Sequence, residues 1–127
     1  MERDCHKAPA LRLLPYTVRE NLPILGEQQG LGGQAQAWTR WFTPDGSRQW
    51  YITEGSARRN DEGQAVDYLL FGLVAERGRK LDYFWLSDFA DRSPADLLVH
   101  RDLCWRPKTL AEIAPDMFKT MGRELEN

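Results

Sequence analysis

Tryptophans and arginines alternate along one stretch of the chain, and they are the residues best suited to contact a partner. Aromatic rings fill pockets at protein interfaces or stack on nucleotide bases, and neighbouring arginines pair with carboxylates or phosphates. The same composition is typical of a hairpin whose inner rings form the core and whose arginine stems cover the outer ones. We predict a partner-binding surface made of six residues: Trp38, Arg40, Arg48, Trp50, Arg58 and Arg59.

Alternation along a strand cannot bury every ring of this stretch. Successive strand residues point to opposite faces, so Trp38 and Phe42 share one face while Trp41 shares the other with Thr39. At least one tryptophan is therefore displaced towards the surface unless helices cover both faces. We expect the outward ring to be Trp38 or Trp50, each with an arginine close by in the sequence.

Metal ligands and nucleophiles are few. The chain has two cysteines and two histidines, and the closely spaced ligand pairs of zinc sites are missing from the sequence. His100 and Cys104 are four positions apart in a segment that reads as extended, so a catalytic pair there lacks any diagnostic context. We expect Cys104 to be a buried core thiol. With so few candidate ligands, we expect no metal. We also expect no cofactor, and residues 30–33 lack the lysine and hydroxyl ending of a phosphate-binding loop.

Several carboxylates lie in or beside predicted strands, where pairs of them would perform acid–base chemistry or hold a divalent metal. The plainer interpretation is that they face solvent or form ion pairs, for example Asp102 with Arg101 or Arg106. An enzyme would need two of Glu54, Asp102 and His100 to converge in one pocket. We predict no catalytic residue. The strand carboxylates are Glu54, Asp67, Asp82 and Asp102.

Charge excludes one class of protein. The formal net charge is −2 at pH 7, which rules out a uniformly basic protein that coats nucleic acid but leaves room for a local basic patch. An acidic inhibitor would instead place its carboxylates in the channel through which its target protein binds nucleic acid. The plainer alternative is that these carboxylates form a solvated acidic rim. The candidate carboxylates are Asp61, Glu62, Asp67, Asp88, Asp91 and Asp96.

Length and composition favour one globular domain. The chain has 127 residues, of which 42% are hydrophobic and 28% charged. No apolar run approaches the roughly 18 residues of a membrane span, and no apolar stretch follows the N-terminal charges. We therefore predict a cytoplasmic protein with a flexible tail at residues 1–10 and a single domain at residues 11–127.

Period-two patterns and turn residues predict five strands, the first two joined by a hairpin turn at residues 44–47. Gly72 inside the third strand predicts a bulge or a close backbone approach. Polar residues 55–63 predict an exposed loop, and the glycines of residues 26–33 predict a flexible connection. The predicted strands span residues 36–43, 48–54, 66–76, 81–86 and 101–105.

Capping residues delimit the predicted helices. Ser87 is expected to cap a short helix, and Thr109 with Glu112 matches a capping box. Strands with short connections, flanked by helices, predict an α+β fold with a mostly antiparallel twisted sheet arranged as a meander. The predicted helices span residues 16–22, 88–90 and 116–126.

An ordered set of motifs runs through most of the chain: Trp41-Phe42-Thr43-Pro44, residues 50–55, Leu70-Phe71-Gly72, residues 82–89, Arg101-Asp102-Leu103 and residues 107–113. Together these motifs resemble a small bacterial domain of unknown function, family 2958, which is found on plasmids and other mobile elements. The resemblance covers residues 11–114 and implies no catalytic residue. The chain departs from the family pattern at Trp85 and in the helix at residues 116–126, both of which add apolar surface for a partner.

These observations predict a non-enzymatic accessory protein of a mobile genetic element that binds another macromolecule. A more specific form is an inhibitor of a host defence system, such as an anti-CRISPR or antirestriction protein. Its partner would be a protein of a nucleic-acid-processing defence complex, with no membrane contact. One alternative is a module that binds nucleic acid directly through the Trp/Arg hairpin, and a second is an uncharacterised enzyme.

Overall fold

The computed structural model describes residues 12–89 and 99–118. Its strands are β1 Gln36–Ala37, β2 Thr39–Phe42, β3 Gln49–Arg59, β4 Ala65–Ala75, β5 Arg79–Trp85, β6 His100–Arg101 and β7 Lys108–Thr109. Five of them form one antiparallel sheet in the order β5-β4-β3-β2-β6, and the short β1 and β7 pair separately. The predicted α+β fold with a mostly antiparallel meander is confirmed.

Short helices connect and flank the strands. The first helix, α1 (Tyr16–Arg19), ends at Arg19 rather than at residue 22, because the amides of Asn21 and Leu22 donate to carbonyls only three residues back. The capping box is confirmed, since Thr109 Oγ1 accepts the Glu112 amide and the Glu112 carboxylate accepts the Thr109 amide. Residues 115–118 are also helical. The other helices are α2 Leu110–Ile113 and two 3₁₀ helices, Gln29–Gln34 and Leu86–Phe89.

The long strands β3 and β4 form the centre of the sheet. β3 continues through residues 55–59, so the loop predicted at residues 55–63 shrinks to residues 60–64. The prediction failed because β3 extends beyond the core at this end of the sheet, so Arg58 and Arg59 are exposed and their polar side chains suggested a loop. The backbone ladder to β4, which extends to the Arg59–Ala65 pair, keeps these polar residues extended.

A β-bulge in β3 changes which face of the sheet its side chains occupy. Ile52 pairs with Gly72 and Glu54 pairs with Phe71, so Thr53 is an extra residue between the two pairs. An extra residue reverses the alternation beyond it. Glu54 therefore shares a face with Phe71 instead of with Ile52. We call the face that carries Ile52 the first face of the sheet and the face that carries Phe71 the second face.

Gly72 allows β3 and β4 to approach closely at the bulge. A Cβ atom built on Gly72 would lie 1.9 Å from the Tyr51 carbonyl oxygen, a distance that no side chain tolerates. The prediction of a bulge or close approach at Gly72 is confirmed.

Both faces of the sheet pack against other segments of the chain, although Leu81 and Tyr83 on the second face of β5 remain 41% and 59% exposed. On the first face, the side chains of Leu13 and Leu14, the second 3₁₀ helix and Val99 pack against strand residues. On the second face, α2 and the residues around it cover a smaller core. The first core contains Trp41, Trp50, Ile52, Leu70, Leu86 and Phe89, and the second contains Ala35, Ala37, Leu73, Leu110 and Ala114.

Two strands are shorter than predicted. The predicted strand at residues 36–43 is divided at Trp38, because β1 pairs with β7 whereas β2 belongs to the main sheet. The strand predicted at residues 101–105 is an edge strand, but it ends at Arg101. The chain turns there because Asp102 Oδ1 accepts the Cys104 amide at 3.0 Å.

Ser87 does not cap a helix as predicted. The 3₁₀ helix already begins at Leu86, and the Ser87 hydroxyl donates to Asp67 Oδ2 at 2.6 Å. This hydrogen bond joins the 3₁₀ helix to Asp67 of β4, which explains why a polar residue occupies position 87. The predicted tail at residues 1–10, the end of the helix predicted at 88–90, Asp91, Asp96 and most of the helix predicted at 116–126 lie outside the described residues. Among the described helices, none is long and apolar enough to cross a membrane.

Substituting Gly72→Ala should lower the free energy of unfolding by about 2–3 kcal/mol, because the new methyl group meets backbone rather than a movable side chain. Urea denaturation with matched slopes measures the difference. Gly30→Ala is the control, since a Cβ at Gly30 meets no atom within 4 Å. Equal midpoints for Gly72→Ala and the unsubstituted protein would show that the close approach is not needed.

Candidate functional site

A groove of about 540 Å³ opens on the second face of the sheet, between the strands and the segment that follows β6. Its volume lies within the range of roughly 300–1,000 Å³ that is typical of ligand-binding clefts. We call it the Trp105 groove. Its lining residues are Arg40, Tyr51, Asp102, Cys104, Trp105, Arg106, Lys108, Glu112 and Ile113.

Arg40 forms one wall of the groove and is held on every side. Its Nη1 donates to Asp102 Oδ2 at 2.9 Å, while Nε and Nη2 donate to Gln49 Oε1 at 3.2 and 3.1 Å. The guanidinium carbon also lies 4.8 Å from the Phe42 ring centroid and 5.9 Å from that of Tyr51. Arg40, predicted as a partner-binding cation, is thus an internal clamp between β2, β3 and the segment after β6.

Asp102 shapes the turn at the rim of the groove. Its amide donates to the Arg40 carbonyl at 2.9 Å, and its Oδ1 accepts the Cys104 amide at 3.0 Å. It pairs with Arg40 rather than with Arg101 or Arg106. The turn carries Leu103 out to 77% exposure and leaves Cys104 exposed as a free thiol, so the prediction of a buried Cys104 was wrong.

Trp105 is a rigid, half-buried platform in the groove. Its indole Nε1 donates to the Ala37 carbonyl at 3.0 Å, and the Tyr51 ring lies 5.7 Å away, centroid to centroid. Lys108 places its Nζ 5.0 Å from the indole centroid in a cation–π contact. Sequence reasoning missed this residue as a candidate, although Arg106 and Lys108 follow Trp105 with the same basic–aromatic interleaving as the hairpin.

Two cations at the groove are available to a partner. Arg106 and Lys108 are exposed, and neither forms an ion pair within residues 12–89 and 99–118. Glu112, which also lines the groove, is engaged in its capping box. The groove thus combines a fixed aromatic platform with two exposed cations, and the turn that borders it carries the exposed Leu103.

The six residues predicted as one surface lie apart. Trp50 is only 7% exposed and packs edge-to-face on Phe89, so its prediction as an outward ring was wrong. Trp38 is half-buried, and Arg48 pairs with Glu76 at 3.2 Å near the hairpin. Arg58 and Arg59 are exposed near the opposite end of β3, about 33 Å from Arg48 at the usual rise of a strand.

Glu54 is a buried structural anchor within β3, not the strand-end carboxylate that the sequence suggested. Only 4% exposed, it accepts the Gly26 amide at 2.8 Å through Oε1 and the Gln28 amide at 2.7 Å through Oε2. Gln28 in turn donates to the Thr53 carbonyl at 2.8 Å. The glycine-rich segment predicted as a flexible connection at residues 26–33 is therefore a folded segment fastened to β3.

The three residues that an enzyme would have used serve separate partners. Glu54 binds backbone amides, Asp102 clamps Arg40, and His100 stacks on Phe42 with 5.9 Å between the ring centroids. Glu54 and Asp102 line different cavities. Within the part of the chain that the structure describes, no group of three or more histidine, cysteine or acidic residues could hold a metal ion.

In comparisons with protein-family models, curated proteins and solved structures, nothing matches this chain. The resemblance to family 2958 therefore stays a prediction.

Substituting Asp102→Ala should loosen the turn at the rim, because it removes the acceptor for Cys104 and leaves the half-buried Arg40 without its carboxylate. The expected loss of stability is about 1–2 kcal/mol, and hydrogen exchange at the Cys104 amide should accelerate. Asp82→Ala is the control, since in the described part of the chain Asp82 pairs only with exposed Lys80 and with the amide of its neighbour Tyr83. Unchanged exchange at Cys104 would contradict the assigned role of Asp102.

Proposed function

We propose that this chain is a non-enzymatic protein that binds another protein through the Trp105 groove. The observation that carries the proposal is that Trp105 and two cations, Arg106 and Lys108, line one groove, and neither cation forms an ion pair among the described residues. The exposed Leu103 lies in the turn between the lining residues Asp102 and Cys104. Tryptophan and arginine dominate the binding energy of protein interfaces when they lie at the centre of a patch that excludes water.

The rigidity of the groove supports this proposal. Trp105 is already fixed by its bond to Ala37 and by contacts with Tyr51 and Lys108. Arg40 and Asp102 hold the opposite wall through their ion pair. A partner that docks here orders few additional side chains, and the entropic cost of association is correspondingly small.

Charge and exposure favour a protein over a nucleic acid. The whole chain has a net charge of −2, and carboxylates of Asp102 and Glu112 lie in the groove beside its cations. Nucleic acids are bound through several unopposed lysines and arginines that replace condensed counterions. Leu103, 77% exposed at the rim, gains most from an apolar surface on the partner.

The resemblance to family 2958 supports a narrower form of the proposal. In that form the protein is an accessory factor of a mobile genetic element that works in the cytoplasm. It inhibits a host defence system, as anti-CRISPR and antirestriction proteins do, and its partner is a subunit of the nucleic-acid-processing complex.

The test is quantitative affinity capture from a nuclease-treated bacterial lysate with the full chain and two variants. Leu103→Asp places a charge in the exposed turn between the lining residues Asp102 and Cys104, outside both cores, and we expect at least about a tenfold loss of one stoichiometric protein. Leu31→Asp is the control, because Leu31 is also exposed, at 48%, but lies in the first 3₁₀ helix outside the groove. The control should capture that protein as well as the unsubstituted chain does.

The outcomes separate the candidate functions. A captured subunit of a defence complex supports the narrower form, and any other stoichiometric protein supports the groove while rejecting that form. Equal capture by Leu103→Asp and Leu31→Asp contradicts the groove as the contact surface. Salt-dependent binding of a fluorescent single-stranded oligonucleotide that Arg106→Glu abolishes would overturn the proposal in favour of nucleic-acid binding.

A further inference from the structure

A second cavity, of about 570 Å³, opens near the far end of β3 and has no residue in common with the Trp105 groove. Small residues on β3 and β4, among them Gly55, Ala57 and Ala65, leave the space open. The cavity is bounded by α1 and the turn after it on one side and by the ends of β3 and β4 on the other. Its polar and aromatic lining residues are Tyr16, Arg19, Glu20, Ser56, Arg59 and Tyr68.

Arg19 lies in this cavity between two tyrosine rings. Its guanidinium carbon is 6.0 Å from the Tyr16 centroid and 5.9 Å from the Tyr68 centroid, and its Nη1 makes a long 3.4 Å bond to the Tyr68 hydroxyl. Its Nε is shielded from solvent and has no acceptor among the described residues. Arg19 forms no ion pair in that part of the chain either.

A guanidinium in this state has unused capacity for an anion. An N–H group removed from water without an acceptor is unfavourable, and an incoming oxyanion would restore the missing hydrogen bond. Tyr16 is 66% exposed and belongs to neither core, so a change of its rotamer leaves the packing of the domain intact.

The surroundings specify the rest of the ligand. Arg59 brings a second guanidinium, of which Nη1 donates to the Gly63 carbonyl at 2.9 Å, and Glu20 is the one carboxylate among the lining residues. Two cations against one anion favour a negatively charged ligand. Next to them Ile24 exposes 65% of its surface, which suits an apolar body attached to that charge.

We propose that this cavity binds an oxyanion carried on an apolar body, as in an aryl or alkyl phosphate. The oxyanion accepts from Nε and Nη2 of Arg19, and the apolar body packs on Tyr16 and Ile24. Arg59, which the sequence grouped with the hairpin, adds charge to this separate site. The site shares no residue with the Trp105 groove, so a failed test of one site leaves the proposal for the other unaffected.

The test is a titration of the ¹⁵N-labelled full chain with phenyl phosphate, observed at the arginine Nε–Hε signals. We expect a saturable shift of the Arg19 signal at millimolar concentration, as befits a fragment-sized ligand. Inorganic phosphate should bind more weakly because it lacks the apolar body. A capped phosphotyrosine that binds more tightly than phenyl phosphate identifies a phosphorylated protein segment as the source, and weaker binding identifies a free small molecule.

Variants make the titration specific. Arg19→Gln should reduce the affinity, read from the Tyr68 signals, by at least about tenfold, and Arg19→Lys should lose much of it because the planar fork is gone. Arg59→Gln should weaken binding a few-fold, and the control Arg48→Gln, at the other end of β3, should leave it unchanged. The backbone spectrum of each variant checks that the fold is retained.

Either of two results would overturn the site. One is a linear, unsaturated shift in which the Arg48 and Arg58 signals move as far as that of Arg19. The other is unchanged affinity in both folded Arg19 variants.

Discussion

One extra residue in β3 decides which side of the sheet receives a buried charge. In an uninterrupted ladder, Glu54 would pair with Leu70 and its carboxylate would enter the apolar core beside Ile52, where an unpaired charge is strongly unfavourable. The bulge at Thr53 moves Glu54 to the second face, where the amides of Gly26 and Gln28 donate hydrogen bonds to its carboxylate. The bulge in turn depends on Gly72, which alone allows the two backbones to approach.

The two candidate sites lie on either side of this central pair of strands. The Trp105 groove occupies the second face near the hairpin, where Arg40 and Asp102 clamp the segment after β6 to the sheet. The cavity around Arg19 lies near the other end of β3, where the strand leaves the core. In the groove Arg40 and Asp102 pair with each other, whereas within residues 12–89 and 99–118 Arg19 forms no ion pair and its Nε has no acceptor. This difference suits the groove to shape-complementary docking and the Arg19 cavity to an anion.

Local pattern was enough to predict much of the fold. The apolar run of residues 68–74 was assigned correctly to a central strand, Gly72 to a close approach, and Thr109 with Glu112 to a capping box. The face of a side chain follows from alternation only as far as the first bulge, so Glu54 was out of reach of that reasoning. Its partners lie 28 and 26 residues away in the chain, in a segment whose glycines suggested flexibility.

The candidate surface was harder to predict, because tertiary contacts decide which rings and cations remain free. Trp50 and Trp105 have similar basic neighbours, yet Trp50 packs into the first core while Trp105 lies at a groove. Arg40 and Arg106 likewise look equivalent in sequence, but of the two only Arg40 meets a carboxylate among the residues that the structure describes. Periodicity assigns a residue to a strand, and the segment folded over that strand then determines its exposure.

Amide hydrogen exchange in Glu54→Gln, with Glu62→Gln in the exposed loop as control, tests most directly whether the buried carboxylate anchors the second face. A glutamine presents an NH₂ group to one of the two amide donors, so one bond is lost and two donors are left facing each other. We predict that exchange at the Gly26 and Gln28 amides becomes faster by at least about tenfold, with β4 amides much less affected. Unchanged protection of these two amides in Glu54→Gln would contradict this prediction.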